Sequence, residues 1–429
     1  MKHHANSTSL PRSSRATRRV GTQSALLHSV VACLAATVLP QAADAQNTGA
    51  FVNFESPQVH PIDITPDGST LLAVNTADGQ LEVFDLVGGL PVRRGAVPVG
   101  VDPVSVRVRS NGEAWVVNQV SDSVSVVDLG SMRVVRTIQV GDEPADVVFA
   151  GPKGSKAEGS KAEGSKAEGS KAEGSKATGS RAFVSLAIAN RLVSFDAAAA
   201  APTLTSTPIA GASPRALATS PDGTKVYLAV FESGNRTTVI PRATVNLAGG
   251  PYAGANPPPN NGTAFDPPRT VGQPLPPRVA HIARKNAAGQ WLDDNNRNWT
   301  SLITWDVVDN DIAVVDAGTL ATSYVTGLMT TVASIGVAPN GSILAVGIEA
   351  RNEIRFEPKL DGTFARMQAA LVPAGGAPGA AIFDLNPHLT YTAPSIPSSS
   401  ACSRSAIRAA WRGCPTAAPR SWPRSAPTA

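Results

Sequence analysis

Short runs of alternating apolar and polar residues recur along the middle of the chain. The clearest unit opens on Val99-Gly100-Val101-Asp102-Pro103. It continues through Ala114-Trp115-Val116-Val117-Asn118, Ser123-Val124-Ser125-Val126-Val127-Asp128 and Val134-Val135-Arg136-Thr137-Ile138-Gln139-Val140-Gly141. A period of two with this β-branched content predicts strands and not helices. Ser110-Asn111-Gly112 supplies the tight turn between two of the runs, because glycine tolerates positive φ. The preceding stretch repeats the scheme with His60-Pro61, Pro66-Asp67-Gly68, Leu71-Leu72-Ala73-Val74-Asn75 and Leu81-Glu82-Val83-Phe84-Asp85. Further copies open at Glu143-Pro144 and Ser213-Pro214, and another runs through Ala338-Pro339-Asn340-Gly341 and Ile354-Arg355-Phe356. A last one begins at Ala377-Pro378 and is lost near Leu389.

Four short strands every 40 residues or so cannot bury both faces of their own sheet. Sheets of this size stacked around an axis form a β-propeller, whereas a sandwich has no such period and a β-helix has shorter coils. The expected fold is all-β: a propeller of four-stranded antiparallel blades, about five of them plus a truncated sixth. That count predicts an open or poorly closed ring with unpaired edges on its first and last sheets, prone to self-association.

The G-x-x-P opening, the Asp-Gly or Asn-Gly turn, the strand ending in Asn, the N/S-x-V-x-V-x-D run and V-x-T-I-x-V-G together resemble the YVTN, or surface-layer, propeller repeat. The resemblance covers roughly residues 57–390. It implies an exported or surface protein, and speaks for fold more than for activity. Some longer relatives join a propeller to a cytochrome c region. This chain departs from them in having no C-x-x-C-H.

Two stretches break the period. Gly154-Ser155-Lys156-Ala157-Glu158 recurs in tandem through residues 154–180, after the first strand of its unit, and reads as an inert replication-slippage product whose repeated glycines weaken any helix. The second, residues 236–309, follows a second strand and is chemically diverse, as long functional loops are. Connections from second to third strand share a rim with the blade-to-blade loops, and connections from first to second strand lie on the opposite rim. The diverse insert is therefore expected over the rim of the G-x-x-P loops.

The ends differ from this body. Arg12, Arg15, Arg18 and Arg19 precede an apolar stretch at 25–39, and Ala43-Asp44-Ala45 offers a small-residue cleavage site. Residues 1–45 thus read as a signal peptide cut after Ala45, for a periplasmic or secreted chain with no transmembrane segment after cleavage. Residues 395–429 are rich in Ser, Pro, Ala and Arg without any period, and read as a disordered, out-of-frame tail. The formal net charge of +4 is carried by these ends. The propeller region, 46–394, is acidic, which argues against a nucleic-acid partner.

The body contains no cysteine, since Cys33, Cys402 and Cys414 lie in the two ends. Disulfide frameworks, zinc clusters and a cysteine nucleophile are excluded from it. No His pair at i, i+4 and no G-x-S-x-G elbow is present, so neither a zinc hydrolase nor a serine hydrolase is indicated. Asp293-Asp294-Asn295-Asn296 has oxygens for calcium but not the spacing of a calcium loop, and reads as a polar turn. The residue before each repeat proline, His60, Asp102, Glu143, Ser213 or Ala377, is expected at an equivalent place near the axis. His60, Asp102 and Glu143, with Glu232 and Asn235 at the root of the diverse insert, form the candidate rim site for a protein or small-molecule ligand. The expected role is an exported binding or scaffolding module, not an enzyme, with no cofactor. The alternative is the propeller part of a truncated larger enzyme, redox or lactonase-like.

Overall fold

The computed structural model describes residues 57–151, 179–255, 281–352 and 365–389, all within the unit Asn53–Ala429. The segment read as a signal peptide, most of the tandem tract, Ile354-Arg355-Phe356 and the C-terminal tail lie outside the described residues.

Strands β1 (Ile62–Ile64), β2 (Thr70–Asn75), β3 (Gln80–Val87) and β4 (Leu90–Pro98) form the first antiparallel sheet, paired in chain order. The second sheet is β5 (Pro103–Ser110), β6 (Glu113–Asn118), β7 (Ser123–Asp128) and β8 (Arg133–Gln139), and the third is β9 (Pro144–Ala150), β10 (Arg181–Leu186), β11 (Arg191–Asp196) and β12 (Thr205–Pro208). In the fourth, β13 (Ala212–Thr219) and β14 (Lys225–Glu232) are followed by an insert with β15 (Thr237–Ile240), α1 (Arg242–Val245), β16 (His281–Lys285) and β17 (Trp291–Asp293). The sheet then resumes with β18 (Ile312–Asp316) and β19 (Thr322–Val325). The fifth is β20 (Thr331–Val337), β21 (Ile343–Ala350), β22 (Ala365–Val372) and β23 (Ala381–Asp384).

Two of the first-to-second-strand turns form as their chemistry dictates, whereas the Ser110-Asn111-Gly112 turn is made without a positive φ at its glycine. Gly68 and Gly223 both sit at φ 71°. Beside them the Asp67 carboxylate accepts from the Thr65 hydroxyl and the Ser69 amide, and Asp222 does the same with Ser220 and Thr224. Alternation then sends successive side chains of each second strand to opposite faces. Leu72 and Val74 meet Val106, Ala114 and Val116 between sheets one and two. Trp115 and Val117 meet Ala182 and Val184 between two and three. Phe183 meets Val226 and Leu228 between three and four, and Tyr227 and Ala229 meet Ile343 and Ala345 between four and five. Five four-stranded sheets stacked in series through their inner strands are the blades of a β-propeller.

A buried polar network crosses the inner strands. The Arg107 guanidinium forks onto Asp146 at 3.0 and 2.6 Å and also donates to the Leu217 carbonyl at 2.8 Å. Asp146 accepts the Leu217 amide at 2.9 Å, and its own amide donates to the Ser185 hydroxyl at 3.1 Å. Blades two, three and four are thereby tied through one buried carboxylate.

Two expectations need correction. Ala377-Pro378 does not open a sixth blade; it leads into β23, the fourth strand of the fifth sheet. The last sheet therefore completes itself, and what the terminal blades leave open is a face and not an unpaired third-strand edge. The packing of one sheet on the next runs from blade one to blade five, and among the described residues no comparable contact joins blade five to blade one. Val59, just before β1, does reach the core between the fourth and fifth blades.

Gly100 shows how closely the blade-to-blade loops are fitted. Its amide donates to Asn118 Oδ1 at 3.1 Å, and a Cβ there would overlap Ser121 Oγ and lie 2.6 Å from Asn118 Cγ. Gly100→Ala is expected to cost about 1–3 kcal/mol through this overpacking. Gly112→Ala, with nothing within 4 Å of the added carbon, is the control. Equal melting temperatures for the two variants would refute the expectation.

Candidate functional site

The two rims are distinguished by their contacts. On one, the first-to-second-strand turns of neighbouring blades meet: the Asp67 amide donates to Asn111 Oδ1 at 3.2 Å and the Gly151 amide to the Gly223 carbonyl at 2.8 Å. The tandem tract leaves from this rim, between β9 and β10. On the other, second-to-third-strand loops clasp blade-to-blade loops. Asp122 Oδ1 accepts the Glu143 amide at 3.0 Å, Asn190 Oδ1 the Ser213 amide at 2.9 Å and Asp309 Oδ1 the Gly327 amide at 2.8 Å.

The first two of these clasps hold backbone that is otherwise unfavourable. Asp102, Glu143 and Ser213 each stand before a proline at φ of 60°, 49° and 54°, a left-handed conformation that costs a non-glycine residue on the order of 1 kcal/mol. The shared conformation makes these three equivalent, as the repeat predicts. His60 and Ala377 do not share it. His60 bridges to Ser105 through its backbone, its amide donating to the Ser105 hydroxyl at 3.0 Å. Ala377 is extended at φ −63°, leading to an outer strand.

Glu143 and Glu232 both act electrostatically on a residue the sequence reading missed. Arg215, half-buried on β13, lies with its guanidinium 4.2 Å from the centre of the Phe231 ring and donates from Nε to the Ser213 hydroxyl at 3.1 Å. Burial pulls its pKa below the usual guanidinium value, and the charges of Glu232 and then Glu143 oppose that pull. Glu143 also accepts from Gln119 Nε2 at 3.0 Å. A half-buried cation over an aromatic ring, within the field of two carboxylates, suits recognition through charge-assisted hydrogen bonds.

Asn235 belongs to a second group. Its Nδ2 donates to Glu349 Oε1 at 2.8 Å and to the Ala350 carbonyl at 2.9 Å, while Glu349 Oε2 accepts the Thr330 amide. The root of the insert is thus strutted against the end of β21, the second strand of blade five, which places it on the predicted rim. Burial raises the Glu349 carboxyl. Asp311, at the other root of the insert, accepts the Leu328 amide at 2.7 Å through Oδ2, and its Oδ1 is buried without a hydrogen bond. Burial pushes this carboxyl up to about 7, the Leu328 bond opposing the rise and Asp309 adding to it. The folded state thus binds a proton that the unfolded chain releases near pH 4. Stability from this group is full below about pH 4 and falls by up to about 4 kcal/mol as pH rises to about 7. Asp311→Asn is expected to flatten that part of a melting-temperature profile; an unchanged slope would contradict the assignment.

The insert, expected as a long loop, is a small folded unit. Its three-stranded sheet β15-β16-β17 covers a core of Ile240, Val245, Ala283, Trp291, Trp299 and Ile303. Asp293 is its buried hub, accepting from His281 Nε2 at 3.1 Å, Trp299 Nε1 at 2.9 Å and the Tyr252 hydroxyl at 2.9 Å. Burial alone would raise the Asp293 carboxyl; these donors and the Arg297 amide outweigh it and hold it at about 2. Burial pushes the Tyr252 hydroxyl up to about 12. The stretch read as a polar turn does turn at Asn296, φ 57°, but its first residue faces the core. Among the described residues no group of three His, Cys, Asp or Glu is placed to hold a metal ion, and no helix is long and apolar enough to cross a membrane.

No family model matches the chain, and no curated protein matches it. Among solved structures it is similar to the hydrazine synthase of Kuenenia stuttgartiensis, at 16% identity over 79% of this chain and 68% of that one, with a TM-score of 0.44. It is also similar to a candidate 6-phosphogluconolactonase from Bacteroides uniformis, at 14% identity over 75% of this chain and 82% of that one, TM-score 0.35. A protein of unknown function from Desulfotomaculum acetoxidans matches at 13% identity over 75% of this chain and 74% of that one, TM-score 0.33.

Proposed function

We propose that the chain is an exported propeller of the YVTN-repeat kind that acts by binding, as a recognition or scaffolding module, through the rim that carries Glu143, Arg215, Glu232 and the insert. The observation that carries this reading is the half-buried Arg215 over the Phe231 ring, within the field of Glu232 and Glu143, beside an insert strutted to the same rim by Asn235. The repeat residues support the family, and the basic, apolar and Ala43-Asp44-Ala45 segments support export with cleavage after Ala45. His60 and Asp102 flank the rim as further candidate contacts. The partner is a protein or small molecule and not a nucleic acid, given the acidic body.

A photo-crosslinking side chain placed at exposed Glu232 in exported, full-length protein tests the reading against the same side chain at Asp67 on the opposite rim. Adducts at position 232 that are absent at position 67 are expected, on a chain whose intact mass begins at Gln46. Equal labelling at the two rims would sink the rim assignment, and hydrolysis of a lactone by the purified chain would favour an enzyme instead.

A further inference from the structure

The blades use one kind of contact four times over. In each second strand the residue turned toward the following blade at the same register is Leu72, Trp115, Phe183, Tyr227 and, in the fifth, Leu344. The first four are at most 1% exposed, sealed by the next blade, whereas Leu344 is 47% exposed. Leu371 and Phe383, on the same face of blade five, are 42% and 51% exposed. The first blade presents the opposite half of the same contact. On its outward face Ile62 and Ile64 are 58% and 43% exposed and Leu71 is half-buried, while the counterparts of Leu71, namely Ala114, Ala182, Val226 and Ile343, are fully buried against the preceding blade.

We propose that the outward face of blade five takes the outward face of blade one from a second copy of this chain, continuing between molecules the packing that already joins blades one to five. The two faces are the halves of an interface that the chain has built four times, and among the described residues no neighbouring blade covers them, so they fit each other in kind. Apolar patches of this sort on soluble proteins mark interaction surfaces. Because the two faces differ, the contact is heterologous and propagates head to tail until a ring closes. Every blade draws all four strands from one stretch of chain, so no strand has to be exchanged and assembly needs no unfolding. The proposal concerns blade faces and does not depend on the rim reading.

Sedimentation of the full chain over a wide concentration range, with Leu344→Glu and Ile62→Glu, tests it. Wild type is expected to form concentration-dependent oligomers, and each variant alone to lose them while keeping the wild-type melting temperature. An equimolar mixture of the two variants should recover dimers and nothing larger, since each supplies one intact face. Wild type that stays monomeric throughout, or a mixture that forms no dimers, overturns the proposal. Should either variant melt early, Leu371→Glu and Ile64→Glu block the same two faces.

Discussion

Asp146→Ala is expected to be the most damaging single substitution, lowering stability by about 3–5 kcal/mol, because it strands a partly desolvated Arg107 and breaks a buried ion pair from one side. The Asp146 side chain is 0% exposed and that of Arg107 is 19% exposed, so water cannot fully replace the lost partner. The Leu217 amide would lose its acceptor as well. Arg107→Ala should cost less, since the carboxylate keeps the Leu217 and Val147 amides. Urea unfolding of both single variants and the double variant gives the coupling between them. A double variant whose loss equals the sum of the singles would mean that the pair does not act across the blades.

Trp115→Ala is expected to cost a similar amount, about 3–5 kcal/mol, as large-to-small changes of buried aromatics do. The ring is fully buried, meets Phe149 edge-on with centroids 5.1 Å apart, and stacks on Phe195 at 6.0 Å. The Arg136 guanidinium covers it at 5.3 Å. Its Nε1 donates to Glu113 at 2.7 Å, so Trp115→Phe should keep most of the packing and lose that bond, at about 1 kcal/mol plus the vacated volume. The check is chemical denaturation; an alanine variant within 1 kcal/mol of wild type would show that blades two and three close over the gap, contrary to the close packing expected of such cores.

The blade strands were legible because alternation, turn glycines and x-Pro openings are local signals. Ala377-Pro378 misled because the dipeptide does not say which strand it opens: the residue before proline is left-handed at Asp102, Glu143 and Ser213, ahead of inner strands, and extended at Ala377, ahead of an outer one. The fifth unit is also shorter by one residue at its turn, where the Ala338 amide reaches Ser342 instead of a residue five further on, as Ser220 reaches Lys225. Within the candidate site, Glu143 and Glu232 stood out as charged loop residues, but Arg215 did not. Its meaning comes from groups on two blades, and nothing in Ser213-Pro214-Arg215 states that the charges of Glu232 and Glu143 act on it. Asp146 and Leu217 were hidden likewise, their bond spanning most of two blades of sequence. The insert lost its fold to the reading because a single non-repeating sheet offers no second copy to compare with.

The manner in which that insert joins its blade has a consequence for how such a chain diversifies. β14 and β18 pair from Lys225↔Asp316 to Ala229↔Ile312, as β6 and β7 do across a short turn, and the Gly234 amide closes the neck on the Val308 carbonyl at 3.0 Å. The blade is indifferent to whether a few residues or a whole small module hangs between those strands. The rim is therefore a socket: what is plugged into it can be exchanged, and specificity re-invented, without renegotiating the fold that carries it.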